Sequence, residues 1–175
     1  TTATVDPETG ETVVEPVQLI ITEATEENPE GQTLQNSSAQ AVSADGTMIA
    51  GYGAVQTGNK AFFTLFEGTE TDAEGNVTAI LTSTILPVLA GGKFAEAYAM
   101  TVTDEGLIYI AGRSDSPKGP QACIWFEGDD PNTEEVETWL VKGLGGLSKK
   151  KYDSVATGIV YRPGSTAGDL MVVGT

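Results

Sequence analysis

The 175-residue chain has no histidine, one cysteine, and only 9 lysines and arginines against 25 aspartates and glutamates. Without histidine it has no Ser-His-Asp triad, no Cys-His dyad and no imidazole metal ligand. A single cysteine, Cys123, excludes an internal disulfide and CxxC redox chemistry. The net charge of −16 repels phosphate backbones and anionic lipid headgroups, which argues against nucleic acid or an anionic membrane surface as partner. The first 59 residues carry no cation at all; Lys60 is the first. No apolar run reaches the roughly 18 residues of a membrane span, and no signal peptide stands out. A chain opening on Thr1 reads as a processed or excised segment.

Helical periodicity is missing as well. No window carries apolar residues at i, i+3, i+4 and i+7 over three turns without a Gly, Pro or β-branched interruption. What is there is 21 glycines, 8 prolines and 39 % hydrophobic residues, enough apolar side chain for the core of one ordinary domain. The apolar segments are short, β-branched or aromatic, and fenced by turn formers. They are TVVEPVQLIIT (12–22), TMIAGY (47–52), KAFFTLF (60–66), VTAILTSTILPVL (77–89), LIYIAG (107–112), QACIWF (121–126) and DLMVVGT (169–175). Each has the length and composition of a strand. The expected fold class is all-β.

The segments repeat. AVSADGTMIAGY (41–52) aligns with AMTVTDEGLIYIAGR (99–113), AFFTLFEG (61–68) with ACIWFEG (122–128), and LPVLAGG (86–92) with LVKGLGG (140–146). A third copy begins at YDSVATGIV (152–160) and reaches DLMVVGT. Gly51, Gly112 and Gly174 mark a period near 61 residues. The first twenty residues look like the second half of a repeat. With four strands a to d per repeat, the chain reads c-d, a-b-c-d, a-b-c-d, a-b. The expected divisions of this single domain are 1–35 (half repeat and acidic loop), 36–92, 93–146 and 147–175 (half repeat). Four antiparallel strands per unit is the content of a propeller blade, with a β-sandwich as the alternative. The length beyond common propeller repeats is expected in loops such as 67–76 and 127–137.

The stretches AQAVSADGTMIAGY, KAFFTLFEG, PQACIWFEG and VKGLGGLSKKKYDSVATGI resemble the HAF repeats of bacterial extracellular proteins, over roughly residues 36–175. The second copy has TDEG where that pattern has Asp-Gly, and the third has RPGSTAGD at the turn. The resemblance implies a secreted or surface-exposed bacterial protein of β-repeat architecture, with no catalytic signature and no cofactor.

No motif points to a reaction. Asp45-Gly46 is spaced as a hairpin turn and not as an Asp-box. Asp72 to Asn76 and Glu127 to Asp130 gather oxygen ligands around glycine as a calcium site would, yet neither completes a ligand set. Gly143 to Gly146 and Ala90 to Gly92 lack the P-loop pattern and read as close crossings between repeats. Lys149, Lys150 and Lys151 are the only basic cluster, too small for a nucleic-acid footprint. Cys123, Ile124 and Trp125 read as a buried central strand with an inert thiol. Phe62, Phe66, Trp125 and Phe126 alternate between faces, and an exposed Trp or Tyr could stack on a sugar. Asn36 and Asn76 head glycosylation sequons.

The expected function is therefore a non-catalytic structural or interaction module that assembles with further copies of itself through strand or repeat complementation. A glycan-binding, lectin-like module is the alternative, and a carboxylate-based glycosidase a third reading.

Overall fold

The computed structural model describes residues 2–5, 12–14, 34–55, 58–73, 75, 77–128, 138–146, 151–162 and 169–175. These form twelve strands in three antiparallel sheets. An N-terminal hairpin comprises β1 (Thr2–Val5) and β2 (Thr12–Val14); a meander follows of β3 (Gln35–Val42), β4 (Met48–Val55), β5 (Gly58–Thr71) and β6 (Val77–Ile85). The second sheet is the meander β7 (Ala95–Val102), β8 (Ile108–Ser114), β9 (Gln121–Gly128) and β10 (Thr138–Gly145), and the third is the pair β11 (Ala156–Tyr161) and β12 (Leu170–Gly174). The strand grouping follows the a-b-c-d order read from the repeat. The all-β class holds.

The N-terminal hairpin joins the first sheet: β1 adds to β6 through Thr2–Thr78 and Ala3–Val77, so that sheet runs β2-β1-β6-β5-β4-β3. One expectation is corrected: the stretch 67–76, expected as a loop, is strand over its first half, residues 67–71 of β5. A bulge between Phe66 and Gly68 lets the β5–β6 ladder continue to Thr71–Val77. Gly68, at a φ of 139°, supplies the backbone conformation this needs. Of 127–137, residues 127–128 lie in β9 and 129–137 outside the described residues.

The glycines that set the period share one packing reason. Gly51 pairs with Ala39, Gly112 with Ala97 and Gly174 with Ala156, each beside a bulge in the a strand. A Cβ on Gly51, Gly112 or Gly174 would sit 2.1, 2.0 or 1.9 Å from the carbonyl oxygen of Ser38, Glu96 or Val155. The turns repeat as well. Ser43 N–H donates to the Met48 carbonyl and Ser43 Oγ accepts from Met48 N–H; Thr103 does the same with Leu107 in a turn one residue shorter. Asp45 Oδ1 accepts from Ser43 Oγ and from the N–H and hydroxyl of Thr47, which, with the Ser43 contact foremost, hold its pKa down. Asp45 is thus a turn residue.

The sheets stack as layers. β7 packs against β3, β4 and β5 of the first sheet and against β11 of the third. Between the first two sheets lies a core of Ala50, Phe63, Leu86, Ile110, Cys123 and Trp125, with Trp139 5.0 Å from the Phe63 ring. Trp125 is fully buried, and its indole N–H donates to the Pro87 carbonyl, so no polar atom is stranded. Cys123 and Trp125 are buried and Ile124 partly so, on an inner strand as the sequence implied. The third sheet docks through Ser154, whose Oγ accepts from Ala122 N–H and donates to the Gly145 carbonyl, and through Tyr161 N–H, which donates to Thr101 Oγ1. Among the described residues no sheet closes on itself, and the face-to-face stacking of the first two is sandwich-like.

Candidate functional site

One polar cluster interrupts the apolar interface between the first two sheets, at the end where β5 and β7 begin. Its centre is Glu96, 6 % exposed and the one buried carboxylate among the described residues. Strand pairing positions its first partner: Glu96 lies directly across from Arg113 on β8, and Arg113 Nε donates to Oε2 at 2.6 Å. The bulge between Ala97 and Ala99 sets the second. Tyr98 is the extra residue there, and its hydroxyl donates back to Glu96 Oε2 at 2.5 Å. The third partner crosses between sheets, for Asn59 Nδ2 on β5 donates to Oε1 at 2.5 Å.

Burial by itself would raise the Glu96 pKa. The hydrogen bonds from Arg113, Tyr98 and Asn59, with the Arg113 charge, outweigh it and hold the carboxyl below the usual glutamate range. Tyr98 is pushed the other way, to about 12, by burial and by its bond to the carboxylate. The Glu96 contact likewise raises Arg113. Aromatic rings surround these charges. Tyr52 on β4 meets Tyr98 edge-on at 5.8 Å, and the Arg113 guanidinium lies 5.7 Å from the Phe94 ring. Arg113 commits Nε to Glu96, but its side chain is 36 % exposed and a guanidinium has five N–H donors. Donors therefore remain for a ligand beside the partly buried Tyr52 and Tyr98 rings.

Chemically the cluster is a fixed, charge-balanced set of donors flanked by aromatic surface. It is not poised as a general acid, because Glu96 is held ionised. Its chemistry is also peculiar to the second sheet. Measured from the bulge, Glu96 and Arg113 occupy the places that Ser38 and Tyr52 hold in the first sheet. The scaffold glycines and alanines repeat while these side chains do not.

The residues singled out from sequence lie elsewhere. Asp72 and Gly75 sit in the β5–β6 turn, and Glu127 on β9, while Glu74, Asn76, Asp129 and Asp130 lie outside the described residues. Among the described residues no three acidic, Cys or His side chains converge as a metal set. Gly92 and Gly146 do mark close approaches: a Cβ would meet the Asp115 carbonyl at 2.1 Å and the Tyr152 ring at 2.9 Å. Lys151 is exposed; Lys149 and Lys150 lie outside the described residues. Burial drives the Cys123 thiol pKa far up, as an inert thiol requires. Phe62 and Trp125 are buried, Phe126 is partly buried and Phe66 is exposed. Asn36 is exposed on β3. None of the Glu96 cluster had been singled out. The signal that marks it is the polar pair Glu96 and Arg113 at positions where the other repeats carry Ser38 and Tyr52, Val155 and Thr175.

Comparison of the chain with protein-family models, curated proteins and solved structures returns no match.

Proposed function

We propose that the chain is a non-catalytic carbohydrate-binding module of a bacterial cell-surface or secreted protein, with the Glu96 cluster as its recognition site. The observation that carries this reading is the pinned, ionised Glu96 balancing Arg113 next to Tyr52 and Tyr98. Because Glu96 neutralises Arg113 and the whole chain is at −16, an anionic ligand gains little there. A neutral polyol gains more. Its hydroxyls accept from the guanidinium and the Asn59 amide, and its C–H face lies against tyrosine. The architecture suits the role. Successive sheets stacked in the a-b-c-d order, read as propeller-like repeats of the HAF type, give a rigid scaffold on which the second sheet carries this cluster against the first.

A glycan array probed with the chain, with and without Ca²⁺, tests the reading. Binding to neutral glycans in either condition, lost in Tyr52→Ala, is expected; an array without hits, or hits that survive Tyr52→Ala unchanged, overturns it. The second reading, a self-assembling structural module, rests on a separate feature: the large apolar side chains exposed on the third sheet.

A further inference from the structure

The bulge that sets Tyr98 against Glu96 has a counterpart in the first sheet. On β7, Ala97 pairs with Gly112 and Ala99 with Ala111, leaving Tyr98 as the extra residue; on β3, Ala39 pairs with Gly51 and Ala41 with Ala50, leaving Gln40. Each extra side chain hydrogen-bonds back to the residue two places before it. The Tyr98 hydroxyl donates to Glu96 Oε2, and Gln40 Nε2 donates to Ser38 Oγ at 2.6 Å. The third sheet repeats the bulge with other chemistry: its extra residue is Thr157, and two places earlier stands the hydrocarbon side chain of Val155. Ser38 and Gln40 are thus a neutral version of the pair that Glu96 and Tyr98 make on β7.

Tyr52 joins the two pairs. Ser38 lies directly across from Tyr52 in the β3–β4 ladder, and the Tyr52 ring meets that of Tyr98 edge-on at 5.8 Å. A continuous run of side chains therefore leads from Gln40 and Ser38, through Tyr52 and Tyr98, to Glu96 and Arg113. Gln40 is exposed and Ser38 partly buried. The bond between them uses one amide proton, so the pair still offers a second amide N–H, a carbonyl oxygen and the serine hydroxyl proton. Such a mixed, uncharged set of donors and acceptors suits sugar hydroxyls, each of which both gives and accepts a hydrogen bond.

We propose that Ser38 and Gln40 form a second sugar subsite, which takes the neutral pyranose joined to the one held at Glu96 and Arg113, with Tyr52 between them. The proposal rests on the reading of the Glu96 cluster as a carbohydrate site, and it makes the ligand a disaccharide unit or a longer chain. The extension is one-sided, toward β3, because Thr157 on β11 lacks the polar neighbour that β3 and β7 supply.

Nuclear magnetic resonance titration of the 1–175 chain with cellobiose, maltose, lactose, mannobiose and chitobiose, and with their component monosaccharides, is the test. At least one disaccharide should bind about tenfold more tightly than its components, the worth of one or two added hydrogen bonds. Gln40→Ala, at an exposed position, should remove about that factor from the disaccharide and leave the monosaccharide unchanged, and Ser38→Ala should do the same. Thr157→Ala should change neither, and Tyr52→Ala should weaken both. Disaccharides that bind no better than monosaccharides, or as well in Gln40→Ala and Ser38→Ala as in wild type, overturn the subsite, while Tyr52-dependent binding leaves the Glu96 site standing. An equal loss in Thr157→Ala overturns it too, since the extension is then not one-sided. No binding by any sugar of the set also overturns the subsite, and the glycan array then decides whether the Glu96 site stands. Binding that Tyr52→Ala leaves unchanged places the site elsewhere and overturns both readings.

Discussion

The carbonyl oxygen of Glu96 occupies the space that a side chain on Gly112 would need: a Cβ there would lie 2.0 Å away. Glu96 pairs with Arg113 and its neighbour Ala97 with Gly112, beside the β7 bulge, so neither backbone can retreat without breaking the β7–β8 ladder. Gly112→Ala is expected to destabilise the fold by about 3 kcal/mol, a shift in urea midpoint at unchanged slope. Gly51→Ala, with its Cβ 2.1 Å from the Ser38 carbonyl, should behave alike. Alanine tolerated at both positions would show that the glycine period has another origin.

Much of this scaffold was legible because its causes are local. Short β-branched and aromatic runs such as QACIWF, fenced by Pro120 and Gly128, announce strands, and Gly51, Gly112 and Gly174 announce the repeat by spacing alone. The turn at Asp45 follows from hydrogen bonds spanning five residues or fewer. The site was not legible. Glu96 is one acid among 25, and its role arises from Asn59, 37 residues away, and Arg113, 17 away. Only the sheet stack brings Asn59 to it. The docking of β1 on β6 was hidden for a related reason, as a threonine-rich hairpin fits many edges equally.

Arg113 and Glu96 should be coupled. Glu96→Gln keeps the shape but removes the charge that three donors share, and should destabilise by about 2 kcal/mol. The ion pair proper contributes less, about 1 kcal/mol, because Arg113 is a third exposed and screened. A double-mutant cycle of Glu96→Gln with Arg113→Met measures that coupling directly. Strict additivity would mean that the pair is not formed in solution.

Alkaline pH should weaken the fold through Tyr98. Its pKa rises from 10.0 to about 12 on folding, through burial and the hydrogen bond to Glu96. The folded chain therefore keeps the phenol proton over a range in which the unfolded chain loses it. That contribution is fully present below pH 10 and disappears as pH climbs towards 12. Denaturation midpoints measured across this window should fall more steeply for wild type than for Tyr98→Phe. At the acid end the sign reverses. Glu96, with its pKa depressed below the ordinary 4.5, adds stability above that value and loses it as pH falls through the folded pKa.

Cys123 should react only in the unfolded chain. It is fully buried on β9 and burial raises its thiol pKa, so iodoacetamide labelling in native buffer should be slow and should become rapid in urea. Fast native labelling would contradict the stacking of the first two sheets.

Calorimetric titration with the best neutral oligosaccharide from the glycan array tests the central claim most directly, comparing wild type with Tyr52→Ala and Arg113→Met. Tyr52 and Arg113 meet the ligand in this account, one by stacking and one by donation. Each substitution should weaken binding by about tenfold or more while thermal stability stays close to wild type for Tyr52→Ala. Equal affinity in all three proteins would place carbohydrate recognition away from Glu96 and contradict the account.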